Sequence, residues 1–123
     1  MIRVFLALAI MVVSSVAGAT PFDGRWALDR DDCRNAPGAG DRVPVTIAGN
    51  RMDFYESVCE IGAIEAIGAQ DSAWQVTRTC GGEGETWTVR SIFAMDRDLA
   101  GKPLQLIEVE LDNGYVIVRQ HCE

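Results

Sequence analysis

From Thr20 onward, apolar residues mostly recur at every second position, in short runs that Gly, Asn, Asp and Pro interrupt. This period of two is typical of antiparallel strands with one buried face. The runs predict about eight strands, at residues 24–28, 43–48, 51–56, 58–67, 74–80, 85–95, 104–111 and 115–121. The chain is therefore predicted to be all-β, as an up-and-down barrel with eight antiparallel strands or, alternatively, as a β-sandwich.

Turn residues predict the register of two hairpins. A two-residue Gly49-Asn50 loop would set Ile47 opposite Met52 on a buried face. Near the end of the chain, Asn113-Gly114 is the strongest hairpin signal, because both turn positions need a positive φ. That turn predicts two buried pairs, Leu111 with Val116 and Val109 with Val118. It predicts one outward-facing charged pair, Glu108 with Arg119.

The chain contains four cysteines, and an even count in an exported protein predicts two disulfides with three possible pairings. A hairpin centred near residues 68–71 would place Cys59 directly opposite Cys80. Cys33 then pairs with Cys122, which would tie the region after the first strand to the last strand and close the sheet. An even count also leaves no free thiol for nucleophilic catalysis.

The first nineteen residues have the features of a secretory signal peptide. Arg3 is followed by an apolar run and then by Ala17-Gly18-Ala19, an A-x-A cleavage site. Residues 20–123 are predicted to form one barrel domain that is periplasmic or secreted. No later segment approaches the ~20 apolar residues of a membrane-spanning helix, so no stable membrane insertion is expected.

The acidic balance of the chain limits its partners. The net charge is −7, and removal of Arg3 with the leader would make it about −8. A negative surface repels phosphate backbones, so we expect no nucleic-acid binding. Three carboxylates in one loop, Asp29, Asp31 and Asp32, are the candidate contacts for a cationic surface of a partner protein.

The segment from Phe22 to Trp26 resembles the F-x-G-x-W opening of the calycin barrels, which include lipocalins and similar periplasmic metalloprotease inhibitors. In lipocalins an arginine near the last strand stacks on that tryptophan, and Arg119 is the candidate. The wider pattern also resembles a group of small exported, disulfide-containing bacterial proteins without an assigned function. Its elements are G-x-W, YES-x-C, C-x-x-EGE-x-W and a terminal cysteine.

The sequence CGGEGETW, residues 80–87, is either a binding site for a phosphate or a metal ion, or a turn between two strands. It leads into a strand and lacks a lysine, unlike a phosphate cradle. Its two glutamates are too few for a calcium site, so a glycine-allowed turn is the preferred interpretation. His121, the single histidine, adjoins Cys122, and the cysteine spacings do not fit a zinc site, so no metal or cofactor is expected.

These observations predict a non-catalytic binding protein rather than an enzyme, because no nucleophile motif or carboxylate pair stands out. The first hypothesis is binding or inhibition of another exported protein through loops at the barrel mouth. The alternative is a carrier for a small apolar ligand in the barrel interior. In that case four aromatic residues would line the cavity: Trp26, Phe54, Trp74 and Trp87.

Overall fold

A computed structural model describes residues 18–123, in which eight strands form one closed antiparallel barrel. Each strand pairs with its neighbours along the chain, and the last pairs with the first. The strands, β1 to β8, are Gly24–Ala27, Val45–Ala48, Arg51–Phe54, Ser57–Ala66, Ala73–Gly82, Glu85–Arg97, Pro103–Glu110 and Val116–Cys122. The predicted barrel is confirmed and the sandwich alternative is wrong. The predicted signal peptide falls mostly on residues 1–17, outside the described part.

The two disulfides pair as predicted. Cys59 lies directly opposite Cys80 on β4 and β5, with 3.9 Å between their Cα atoms; we call this the hairpin disulfide. Cys33 joins Cys122, across 89 positions of the sequence; we call this the closing disulfide. The closing disulfide ties the β1–β2 connection to β8. It therefore reinforces the junction at which the first and last strands close the barrel.

An apolar plug fills one end of the barrel. Phe22 is fully buried, and its ring meets the rings of Trp74 and Phe93 edge to face at 5.7 and 5.0 Å. Trp26 donates a hydrogen bond from Nε1 to the backbone oxygen of Phe22 at 3.0 Å. Such edge contacts are the arrangement that aromatic quadrupoles favour. We call this the closed end.

The connections at the opposite end form the mouth. Because consecutive strands are antiparallel, the β3–β4, β5–β6 and β7–β8 connections lie there, and the long β1–β2 connection starts and ends there. The middle of the β1–β2 connection folds back along the barrel wall, because Cys33 is bonded to Cys122, which pairs with Arg25 near the other end of β1. The β1–β2 connection, residues 28–44, contains a short 3₁₀ helix, Arg30–Arg34. The β3–β4 and β5–β6 connections have only two residues each. Short hairpins of this kind hold the side chains beside them in fixed positions.

The β7–β8 pair differs from its prediction in two ways. Val109 pairs with Val116, and Ile107 pairs with Val118, so each β8 residue faces a partner two positions earlier than expected. The predicted faces are also exchanged: Glu108 is fully buried and Arg119 is 7% exposed, whereas Val116 is 63% exposed. A slip of two positions preserves the faces, so the error lies in the choice of the inner face. That choice was wrong because the charges neutralise one another inside.

Candidate binding surface at the barrel mouth

Three aromatic side chains are exposed at or beside the mouth hairpins. Tyr55 in the β3–β4 turn is 43% exposed, Trp87 near the start of β6 is 41% exposed, and Tyr115 before β8 is 66% exposed. Leu111 adds an apolar side chain that is 42% exposed. Trp87 also shares a shallow cavity with Asn113 of the β7–β8 connection. Aromatic residues held in this way are typical anchors of protein interfaces.

Trp87 was predicted to face the interior, and its exposure corrects that expectation. It has the same parity as the inward-facing Ser91 and Phe93 of β6, and it pairs with Cys80. However, β6 begins only two residues earlier, so the side chain lies at the rim and not inside the barrel. Alternation in the sequence predicts a face of the strand, but it does not show how far the buried zone extends.

The segment CGGEGETW forms a turn between β5 and β6, which was the preferred interpretation of the sequence. Gly82 pairs with Glu85 across a Glu83-Gly84 turn in which both turn residues have positive φ, 50° and 79°. Gly82 is required because a Cβ there would lie 2.5 Å from the backbone oxygen of Glu56 in the adjacent turn. Glu83 and Glu85 are exposed at the mouth. They make this end of the barrel acidic.

The barrel interior contains a charged cluster that the sequence reasoning missed. Glu108 accepts contacts from Arg78 at 2.7 Å and from Arg119 at 2.9 Å, and these side chains are at most 9% exposed. Ser91 donates its hydroxyl to Glu108 at 2.7 Å and accepts from Arg78 at 3.3 Å. Both guanidinium groups lie over the ring of Phe54, at 5.8 and 5.7 Å. We call these five residues the inner charge cluster.

The ionisation of Glu108 depends on its partners. Burial alone would raise its pKa, but the charge of Arg78 and hydrogen bonds from Ser91 and Arg119 hold the pKa below its usual value. The anionic form of the carboxylate is therefore favoured, and both of its oxygens are engaged. A general acid needs a proton to give and a general base needs a free lone pair, so Glu108 is poorly suited to either role.

The three loop aspartates mainly hold their own loop. Asp29 caps the 3₁₀ helix by accepting from the Asp31 amide at 2.9 Å. Asp32 is 7% exposed and pairs with Arg42 at 3.1 Å. Asp31 remains open to solvent, with only a loose contact to Arg34. Asp29 and Asp31 are exposed, so the structure leaves two of the three predicted partner contacts accessible to solvent.

The predicted ligand-lining residues are used mostly in packing. Trp26 and Trp74 are 1% and 3% exposed and belong to the apolar core. Phe54 is half-buried and lies under the guanidinium groups of Arg78 and Arg119. Arg119 was the candidate for stacking on Trp26, but it lies over Phe54, and the ring packed on Trp26 is His121, at 4.8 Å.

A cavity of about 530 Å³ lies outside the barrel wall, between the β1–β2 connection and the outer face of β1 to β3. Its apolar walls come from the connection and from the β3–β4 turn. Polar groups stand among them. The lining residues include Arg25, Val43, Pro44, Phe54, Tyr55 and Glu56. We call this cavity the loop groove.

Two further findings bear on the site. Within residues 18–123, no cluster of three or more His, Cys, Asp or Glu side chains is arranged to hold a metal ion. In the same part of the chain, no helix is long and apolar enough to cross a membrane.

Comparison of the chain with protein-family models, curated proteins and solved structures finds no match. The calycin resemblance of residues 22–26 therefore stays a hypothesis.

Proposed function

We propose that this protein is an exported, non-catalytic binding protein that attaches to another protein through the mouth of the barrel. The observation that carries the proposal is the group of exposed aromatic side chains, Tyr55, Trp87 and Tyr115, at one end of a disulfide-stapled barrel. Exposed aromatic side chains gathered in one region mark interaction sites on soluble proteins. Rigid hairpins lower the entropy cost of binding through them.

Charge favours a basic partner. Glu56, Glu83, Glu85 and Asp112 are exposed at the mouth, and the nearby Arg90 is neutralised by Asp112 at 2.9 Å. A partner with lysine or arginine around an apolar centre would be attracted to this end and held there in one orientation. The two disulfides indicate an oxidising compartment. The predicted leader supports export to the periplasm or beyond.

The alternative, a carrier with an interior ligand, has less support. Side chains that are at most 3% exposed occupy the interior, including Trp26, Trp74 and Phe93. The inner charge cluster fills the region between them and the mouth. An apolar ligand would have to displace ion pairs that are already satisfied, which is costly in a low-dielectric interior.

Site-directed photo-cross-linking in the native host tests the proposal. A photoreactive phenylalanine analogue replaces Tyr55, Trp87 or Tyr115, and the control position is Ala69, which is exposed in the β4–β5 connection at the closed end. We expect one discrete protein adduct from the three mouth positions and none from the control. Equal labelling from Ala69, or a small-molecule adduct from the interior alone, would contradict the proposal.

With the partner purified, alanine replacement measures the contribution of each anchor. We expect Trp87→Ala and Tyr115→Ala each to weaken binding by about tenfold or more, as for central aromatic anchors. The control is Leu99→Ala, because Leu99 is fully exposed in the β6–β7 connection, at the closed end of the barrel. Retained affinity in both mouth variants would exclude the mouth as the binding surface.

A further inference from the structure

The loop groove has a prebuilt wall. Asn35 donates its side-chain amide to the Arg42 oxygen at 2.7 Å, and Arg42 in turn pairs with Asp32 at 3.1 Å. Arg25 donates to the backbone oxygen of Cys33 at 3.2 Å, beside the closing disulfide. A wall fixed by these contacts loses little conformational freedom when the groove is occupied. Its volume of about 530 Å³ is in the range of sites for small ligands or a few side chains.

Glu56 stands at the lip of the groove in an unusual backbone conformation. Its φ is +60°, a region that favours glycine, and yet the position holds a charged residue. The adjacent strand accommodates this turn through Gly82. A glycine at position 56 would fit the turn with less strain. A glutamate at this position therefore costs some stability relative to glycine.

The electrostatics at the lip favour a cation. Glu56 raises the pKa of the Tyr55 hydroxyl, with smaller contributions from burial and from Asp41, so negative charge gathers there. Among the described residues no cation forms a salt bridge with Glu56. Arg25, the cation in the groove lining, directs Nη2 to the backbone oxygens of Cys33 and Asn35. Below the lip, Val43, Pro44 and Phe54 supply an apolar wall.

We propose that the loop groove receives a basic side chain of the partner polypeptide, with Glu56 pairing its charge and Tyr55 and Phe54 packing on its apolar stem and neighbouring residue. This inference rests on the proposed function, because Tyr55 and Glu56 belong to both the mouth and the groove. Arginine and lysine have long apolar stems and charged ends, which matches a groove with apolar walls and an acidic lip. A basic side chain with an apolar stem is therefore the feature of the partner that the mouth would recognise.

Titration with a short peptide tests the groove without the partner. The probe is a blocked tripeptide of phenylalanine, arginine and leucine, and its control carries citrulline, which is neutral and nearly isosteric, in place of arginine. We expect amide chemical-shift changes confined to residues 35–44 and 53–56, with a dissociation constant on the order of 1 mM. Equal shifts with the citrulline peptide, or no localised shifts, would overturn the inference.

Two glutamates offer a matched pair of variants. Glu56 and Glu83 both have positive φ in two-residue mouth turns, and only Glu56 lines the groove. We expect Glu56→Gln to weaken the arginine peptide by about fivefold, the effect of one partly exposed charge pair. We expect Glu83→Gln to weaken it by less than about twofold, because Glu83 lies outside the groove and acts only through the overall charge of the mouth. Glu56→Gly and Glu83→Gly should both raise the melting temperature, but only the first should lose the peptide. Loss of the peptide in a stabilised variant excludes unfolding as its cause.

The two proposals fail in different ways. If cross-linking through Tyr115 succeeds and the protein binds the arginine and citrulline peptides equally, the mouth binds a partner but the groove does not recognise a positive charge. If the arginine peptide binds the groove and no mouth position gives an adduct, the groove takes a free organic cation. That outcome overturns the assignment to a partner side chain.

Discussion

Replacing Glu108 by glutamine removes the negative charge between two buried guanidinium groups while keeping the size of the side chain. In the wild-type protein Glu108 is fully buried and contacts Arg78 at 2.7 Å and Arg119 at 2.9 Å. The variant leaves Arg119 without its counter-ion, and it leaves Arg78 with only the longer contact to Glu110 at 4.0 Å. Breaking a buried ion pair in this way typically destabilises a protein by about 3–5 kcal/mol. That is a large part of the roughly 5–15 kcal/mol by which such domains are stable.

Urea denaturation followed by tryptophan fluorescence measures this effect. With a urea dependence near 1.5 kcal/mol per molar, a loss of at least 3 kcal/mol lowers the midpoint by about 2 M or more. The control is Glu110→Gln, because Glu110 lies 4.0 Å from Arg78 and its side chain is 20% exposed. We expect the control to cost less than about 1 kcal/mol.

A triple apolar variant separates the charge from the packing. Arg78→Met, Glu108→Leu and Arg119→Met together replace the ion pairs by apolar side chains, and we expect a stability equal to or above that of the wild type. The reasoning is refuted if Glu108→Gln alone stays within about 1 kcal/mol of the wild type, because the two arginines would then not need a buried counter-ion.

Four further outcomes are expected. The pKa of Glu108 is lower in the folded protein than in the unfolded chain, so on acidification the unfolded chain binds a proton at Glu108 first. The free energy of unfolding should therefore fall as the pH drops below about 4.5, and it should fall less in Glu108→Gln. Burial, and to a smaller extent Lys102, depresses the pKa of His121 in the folded protein, so stability should also decline below about pH 6.5, and His121→Phe should remove this component. Gly82→Ala should destabilise the fold, since its Cβ would meet a backbone oxygen at 2.5 Å, whereas Gly81→Ala, with 3.8 Å of clearance, should not. Removing the closing disulfide should lower the free energy of unfolding by about 4.6 kcal/mol, and removing the hairpin disulfide should lower it by about 3.3 kcal/mol. The difference arises because the loop-closure entropy grows with the 89 and 21 positions that the two disulfides span. Equal losses of stability in denaturant titrations would contradict that scaling.

The architecture could be predicted because its signals are local. Each strand shows its own alternation, and each turn its own glycine or asparagine. The predicted pairing of Cys59 with Cys80 is confirmed, although beside the turn the register differs by one position, with Ala66 opposite Trp74. A bulge between Ile61 and Ala63 shifts the strands by one position and brings the two cysteines opposite each other. Since a chain with four cysteines then has a single remaining pairing, one correct hairpin determined both disulfides.

The proposed binding surface and the interior were harder to predict because they depend on side chains from distant strands. Arg78, Glu108 and Arg119 come from β5, β7 and β8, and no local pattern shows that their charges cancel. The usual rule buries valine and exposes glutamate, so it selects the wrong face of the β7–β8 pair. Among the loop aspartates, the burial of Asp32 could not be predicted, since its partner Arg42 is ten positions away.

In β7 and β8 the charged side chains face the interior and apolar side chains face outward, so the packing of the interior affects the surface near the mouth. With the charges inside, Val116 and Val118 lie outside, 63% and 39% exposed, in the strand that directly follows Tyr115. Apolar residues in the interior would serve stability at least as well as ion pairs, so stability alone does not account for this arrangement. Both guanidinium groups also lie over Phe54, which lines the loop groove.

The triple apolar variant distinguishes two roles of the inner charge cluster. If the cluster only fixes which face of β7–β8 is inside, the more stable variant keeps both the adduct at Tyr115 and the affinity of the arginine peptide. If the cluster also positions Phe54, the variant keeps the adduct and loses peptide affinity by several fold, because one aromatic contact is worth about 0.5–1.5 kcal/mol. We expect the second result, since two cations hold one ring against the groove. Unchanged affinity would leave the cluster with the first role alone.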